Sequence, residues 1–166
     1  MSIVTGDLDF FLSGGASNTN PNASLGGVIS TTEVTNNTLN NLFDDVTGDE
    51  HTAGDTEYRA FYFKNASAET GSNAKIWIES NTTATDDTIE IGIESASGSP
   101  IQTISDESTA PIGISFSTAN GQINALTIGT MTAGTVYGVW VKRIVTAGST
   151  PQATDTAVLK VYIDSL

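Results

Sequence analysis

Thr88-Ile89-Glu90-Ile91-Gly92-Ile93-Glu94 alternates strictly, with three isoleucines on one side of an extended backbone and Glu90, Gly92 and Glu94 on the other. Successive side chains of a strand point to opposite faces, so this pattern predicts a strand with one buried and one wet face. The same period recurs along the chain. In Val136–Val145 the residues Val136, Gly138, Trp140, Lys142 and Ile144 stand against Tyr137, Val139, Val141 and Arg143. Ala157, Leu159, Val161 and Ile163 share one side of a last strand, and Ile76 and Ile78 lie opposite Trp77. Residues 58–65, Tyr-Arg-Ala-Phe-Tyr-Phe-Lys-Asn, are aromatic-rich and can bury one face or both. Residues 100–104, 112–116 and 123–128 read as shorter strands.

Composition points the same way. Ile (15) and Val (10) outnumber Leu (8), and Thr (25) is the commonest residue; β-branched side chains favour pleated surfaces over helices. Turn chemistry is plentiful at 66–72, at Thr132-Ala133-Gly134-Thr135 and at 147–151. About nine strands with frequent turns describe an all-β sandwich or barrel. No βα alternation suggests a parallel α/β sheet, and no repeat of roughly 20–50 residues is visible.

Three segments follow. Residues 1–34 hold two apolar patches, Leu8-Asp9-Phe10-Phe11-Leu12 and Leu25-Gly26-Gly27-Val28-Ile29, joined by a turn-rich connector. They read either as an arm that pairs with a neighbouring molecule or as the first strands of the sandwich; in the first case Leu8, Phe10, Phe11, Leu12, Leu25, Val28 and Ile29 are the partner-binding residues. Residues 35–55 read as an acidic loop with one helical turn, because Leu39, Leu42 and Phe43 fall at i, i+3 and i+4 with Asn36 or Asn37 to cap. Residues 56–166 hold the strands.

Six basic against 19 acidic residues leave a formal charge of −13, which argues against binding nucleic acid or anionic lipid. Without cysteine there is no thiolate chemistry or Cys-ligated zinc, and with one histidine there is no His pair within a chain. The first residues show no basic or apolar leader and no run approaches the roughly 20 apolar residues of a membrane span. A protein of this kind acting outside a cell is expected to leave by lysis.

Asp44, Asp45, Asp49 and Glu50 form the best metal candidate, since Ca²⁺ takes several carboxylate oxygens from a flexible loop. Their spacing does not fit the EF-hand pattern, and a solvated acidic loop is the plainer reading. The adjacent carboxylates of Asp86 and Asp87 are poorly disposed to face each other across a glycosidic bond. His51 has no nucleophile motif beside it, and neither G-x-S-x-G nor a P-loop occurs. Trp77, Trp140, Tyr58, Tyr62 and Tyr137 could stack on sugars, but mid-strand aromatics more simply fill a core. Asn22, Asn36, Asn65 and Asn81 begin glycosylation-type triplets, expected by chance in a chain so rich in Asn, Ser and Thr. No catalytic residue and no cofactor is assigned.

Residues 58–65 followed by Asn73-Ala74-Lys75-Ile76-Trp77-Ile78 resemble a paired-strand signature of tailed-bacteriophage virion structural proteins. Residues 126–129, Ala133-Gly134-Thr135, residues 137–143 and Leu159 to Val161 are similar to the same group, in which an Ala-Gly turn feeds a Trp-bearing strand. The resemblance covers roughly residues 56–164. It implies an Ig-like antiparallel β-sandwich and a non-enzymatic particle component. The expected role is capsid decoration or cement protein on the capsid exterior, made in the bacterial host cytoplasm. The major capsid protein and further copies of the chain, as homodimer or homotrimer, would be its partners. The alternative within the resemblance is a tail, baseplate or fibre-associated protein with host-surface or glycan binding.

Overall fold

The computed structural model describes residues 2–82, 84, 86–148, 152 and 154–166. Among them nine strands occur in chain order: β1 (Leu8–Leu12), β2 (Gly26–Gly27), β3 (Asp55–Asn65), β4 (Gly71–Ser80), β5 (Asp87–Ser97), β6 (Ile101–Thr103), β7 (Leu126–Met131), β8 (Val136–Val145) and β9 (Val158–Ser165). A short helix, α1 (Gly48–Ala53), precedes β3. The first sheet has the order β1-β3-β8-β5, the second β7-β4-β9, and β2 with β6 forms a third, two-stranded piece. All ladders are antiparallel. The chain is therefore the all-β sandwich that its alternation requires.

Alternation explains the core. The first sheet turns Phe61, Phe63, Ile89, Ile91, Tyr137, Val139 and Val141 inward to meet Ala74, Ile76, Ile78 and Met131 of the second. Leu159, Val161 and Ile163 of β9 pack at its margin. Each such aliphatic or aromatic side chain contributes about 1.5–3 kcal/mol on full burial. From β3 onward, every link between successive strands of the two main sheets crosses from one sheet to the other. An immunoglobulin sandwich of order ABED and CFG keeps three sequence-adjacent pairs within its sheets, A–B, D–E and F–G; among the described strands this chain keeps none, so its pairing is wholly non-local.

The face of β5 expected to be wet is covered. Ala60 and Trp140, on the outer side of the first sheet, form a second apolar cluster with Ile104, flanked by Leu25, Tyr58, Ile101, Ile114 and Phe116. Trp140 is 0% exposed. The cover is the β2–β6 piece and the segment after it. Gly26 (φ +88°) sits so close that a Cβ would stand 2.0 Å from the Gln102 carbonyl oxygen and 3.1 Å from Trp140. A Cβ on Gly92 would meet Ile114 at 2.4 Å. Glu94 accepts bonds from Trp140 Nε1 (2.8 Å) and Gln102 Nε2 (3.2 Å), and Glu90 accepts from Lys142 Nζ (2.8 Å). The sandwich thus has a partial third layer.

Three local expectations change. Residues 112–116 are not a strand: Ile114 and Phe116 drop onto the outer cluster, and the ladder is reduced to a single bridge between Ser117 and Ile91. The strand expected at 123 starts at Leu126, after a 3₁₀ turn over Gln122–Asn124. The helical turn expected at 39–43 is displaced to α1. There Thr47 and Glu50 form a reciprocal capping box, which the sequence Thr47-Gly48-Asp49-Glu50 carried openly. Leu42 and Phe43 still reach the core margin, from a bend in the chain. The break expected at 147–151 is a turn at Ala147 and Gly148, and residues 149–151 lie outside the described ones.

Residues 8–12 and 30–34 join the first sheet of their own chain. β1 pairs with β3 from Leu8↔Asn65 to Leu12↔Phe61. Phe10 lies 5.4 Å from the Phe61 ring and 5.7 Å from Phe63. Residues 30–34 then return along the outer edge of β1, with Val34 N donating to Phe10 O (2.8 Å) and Leu12 N to Thr32 O (2.9 Å).

Candidate functional site

β3 continues its inward face past the aromatics with Arg59 and Glu57, and β8 continues Val139 and Val141 with Arg143. The register sets Glu57 opposite Arg143 and thereby places three charged side chains at one end of the core. Arg59 is 0% exposed. Arg143 donates to the Glu57 carboxylate and, through Nη1, to the Asp44 carbonyl at 2.6 Å. Arg59 donates to the Glu107 carboxylate and to Tyr58 O at 3.3 Å. Phe43 lies under both guanidinium groups, 4.8 Å from that of Arg143 and 5.6 Å from that of Arg59. Burial pushes the Glu57 carboxyl above its ordinary range, opposed first by Arg143 and then by Arg59. Buried groups of this kind tie loops to a frame: here Asp44 and Phe43 fasten residues 35–47, and Glu107 fastens the segment after β6.

The expected Ca²⁺ ligands are not brought together. Asp44 faces Arg143 (3.5 Å) and Asn22 (3.2 Å), Asp45 and Asp49 are exposed, and Glu50 turns back to the Thr47 amide. Among the described residues the carboxylates that converge are Glu50, Asp55 and Glu57, with oxygens within 4.8 Å of one another. Glu57 is already Arg143's partner, so this cluster forms part of the salt-bridged end of the sandwich. His51 lies in the last turn of α1, and its carbonyl accepts from Gly148 N at 2.7 Å. Asp87 opens β5; burial and then the Asp155 charge push its carboxyl up, and its Oδ1 has no hydrogen-bond partner among the described residues.

The aromatic residues are structural. Trp140, Tyr62, Trp77 and Tyr137 are buried. Tyr62 Oη donates to Gly27 O and accepts from Ile101 N (3.0 Å), tying the third layer to β3. Tyr58 is half-buried against Phe116. Asn65 is buried as well: its Nδ2 donates to Glu69 O (2.9 Å) and Met131 O (3.0 Å), joining the turn after β3 to the turn after β7. It is not available as a glycan acceptor.

The residues named as partner contacts divide. Leu12 is 2% exposed, and Leu8 and Phe10 pack on the core of their own chain. Phe11 faces the other way, 5.3 Å below Lys64 Nζ. Leu25 belongs to the outer cluster, Ile29 is half-buried and Val28 is exposed. Four cations each bind a carboxylate of their own chain: Arg59 and Arg143 are buried, Lys142 is half-buried, and Lys160 pairs with Glu79 on the surface. No described helix is long and apolar enough to cross a membrane. No protein-family model, curated protein or solved structure matches the chain.

Proposed function

We propose that this chain is a non-enzymatic structural protein of a tailed-phage particle, acting as a decoration or cement protein on the outside of the shell. One observation carries the reading: the residues of the resemblance are framework. Residues 58–65 lie in β3, residues 73–78 in β4 and residues 137–143 in β8; β3 and β4 do not pair as the signature expects but face each other from opposite sheets, and all three strands build the main core. A resemblance in the framework concerns the whole module and not a detachable motif. The charge distribution supports the same role. With four of its six cations paired to carboxylates of the same chain, a −13 protein presents mainly carboxylates, hydroxyls and amides outward and would be repelled by the packaged genome. Its partners would then be the major capsid protein and further copies of itself.

The test is to add purified protein to decoration-free particles and image them. Density at regular positions on the shell is the expected result; labelling confined to the tail, or no labelling, overturns it. The tail-associated alternative is favoured by one feature, an open groove lined by Ser95, Ser97, Ser99 and Gln102 beside the β5–β6 turn. Binding on a glycan array lost on Gln102→Ala would favour that alternative.

A further inference from the structure

Residues 35–54 run from the outer edge of β1 to the start of β3, and none of them is buried. α1 lies within this strap and contributes no buried side chain. Leu42 and Phe43 reach only the margin of a core whose buried members all lie elsewhere. Segments with so few buried apolar contacts are the ones that open locally while the rest of a protein stays folded.

The charged end of the core fastens the strap. Arg143 Nη1 donates to the Asp44 carbonyl, and its Nη2 stands 3.5 Å from the Asp44 carboxylate. Phe43 lies under the guanidinium groups of Arg143 and Arg59. Arg143 is at the same time bound to Glu57, on whose carboxylate Glu50 of α1 and Asp55 of β3 converge, with oxygens within 4.8 Å of one another. The strap therefore hangs on a guanidinium whose other partner is crowded by like charge.

Each element packed around Glu57 adds to this balance. β8 brings Arg143, β3 brings Arg59 and Asp55, and α1 brings Glu50 with His51 beside it. The segment after β6 brings Glu107, and the strap brings Asp44 behind Arg143. Asp87 of β5 lies in the field of His51 and Arg143. Two guanidinium groups thus serve five carboxylates before Asp87 is included. Glu57 is 1% exposed, so water does little to screen that excess. A proton bound among Glu50, Asp55 and Glu57 relieves both the burial of charge and the repulsion. In agreement, burial pushes the Glu57 carboxyl upward, with Glu107 adding to the rise.

We propose that this end of the sandwich is a pH-sensitive clasp: a proton taken up by Glu57 and its two neighbouring carboxylates holds α1 and the strap against β3 and β8, and its loss as pH rises loosens them while both sheets stay folded. Neutral Glu57 still accepts from Arg143 through its carbonyl oxygen, and Asp44 remains as the counter-charge of Arg143. Linkage sets the sign. A group that binds its proton more tightly in the closed form favours closure at low pH, and that contribution is lost as pH rises through its closed-form value. The clasp does not depend on the decoration role proposed above.

Amide exchange of the full chain, followed by mass spectrometry from about pH 5 to about pH 8 and corrected for the intrinsic rate, tests it. Protection of residues 44–54 should fall at least about threefold across that range while β8 keeps its protection. Glu50→Gln with Asp55→Asn, in which Gln can still accept from the Thr47 amide, should hold the protection of 44–54 high and flat. Asp49→Asn, on the exposed side of α1, should leave the wild-type pH response in place, which separates the clasp from the general self-repulsion of a −13 chain. The protection of β8 in the same spectra reports that each variant is folded. Protection of 44–54 that ignores pH, or that falls equally in β8, overturns the inference. So does a fall that survives the double substitution or is abolished by Asp49→Asn.

Discussion

Arg143→Met removes the principal counter-charge of Glu57 while keeping most of the side-chain volume. Glu57 lies almost wholly out of water, and its remaining cation, Arg59, stands 4.0 Å away and is engaged with Glu107. Leaving one member of a buried pair alone typically costs about 3–5 kcal/mol. For a chain of this size that corresponds to a fall in melting temperature of about 6–20 °C. The loss has a defined pH dependence. Without Arg143, burial raises the folded-state pKa of Glu57 further above its unfolded value. A group so raised contributes its stability in full below the unfolded pKa and loses it as pH rises through the folded one. The deficit against wild type should therefore be largest at neutral pH and shrink toward about pH 4. The decisive control is the triple variant Glu57→Met, Arg59→Met, Arg143→Met. It removes the buried charges together, along with the unpartnered Arg59 Nε, and leaves Asp44 and Glu107 to regain water. It should fall near wild type or above it, since replacing a buried ion pair by apolar groups is often neutral or stabilising by about 1–4 kcal/mol. Equilibrium urea unfolding measures both. A single variant within about 1 kcal/mol of wild type, or a triple as unstable as the single, would refute the view that uncompensated charge governs this end of the core.

The remaining predictions concern other joints of the fold. Gly92→Ala should destabilise by about 1–3 kcal/mol, because its Cβ meets Ile114 and, at 2.9 Å, the Ser115 carbonyl; adding Ile114→Ala should recover only part of the loss in denaturant titration. Asn65→Ala should lose about 1–3 kcal/mol by orphaning carbonyls of two turns, seen as faster amide exchange at 131–135. Asp87→Asn should raise the melting temperature at pH 7, since burial and Asp155 lift the Asp87 pKa and make its charge a net cost above it; the gain should vanish below about pH 4, where the wild-type carboxyl is neutral too. Deleting residues 2–34 should yield an unfolded or aggregated chain by circular dichroism and light scattering, because β1 covers the edge of β3 and supplies Leu12 and Phe10 to the core.

Much of the framework was legible. β8 spans the residues whose alternation marked it, and β3, β4, β5 and β9 fall within a few residues of their patterns. In β5 and β9 the side marked apolar is the one facing the core, whereas β3, β4 and β8 carry apolar residues on both sides. The charged end was legible in part: Glu57, Arg59 and Arg143 share the side of their strands that carries Phe61, Phe63, Val139 and Val141, and charge on an apolar side signals a buried pair. The acidic run at 44–50 misled because carboxylates close in sequence need not converge. Asp44 follows Arg143, Glu50 follows the helix cap, and the carboxylates that do meet come from α1 and β3. The strand expected at 112–116 failed because its isoleucines and Phe116 answer to a surface supplied by β5 and β8.

Alternation is a property of two successive peptide units, so the sequence alone determined that the chain would be β and, in β5 and β9, which side would be apolar. It also determined the charge-free stretch from Ser108 to Val141. What lies against each side depends on segments distant along the chain. Gly26 against Trp140, Ile114 against Gly92 and Glu57 against Arg143 each require an approach that no local pattern encodes. Only the tertiary structure could therefore decide that the polar side of β5 is roofed over and that β1 is built into its own sheet.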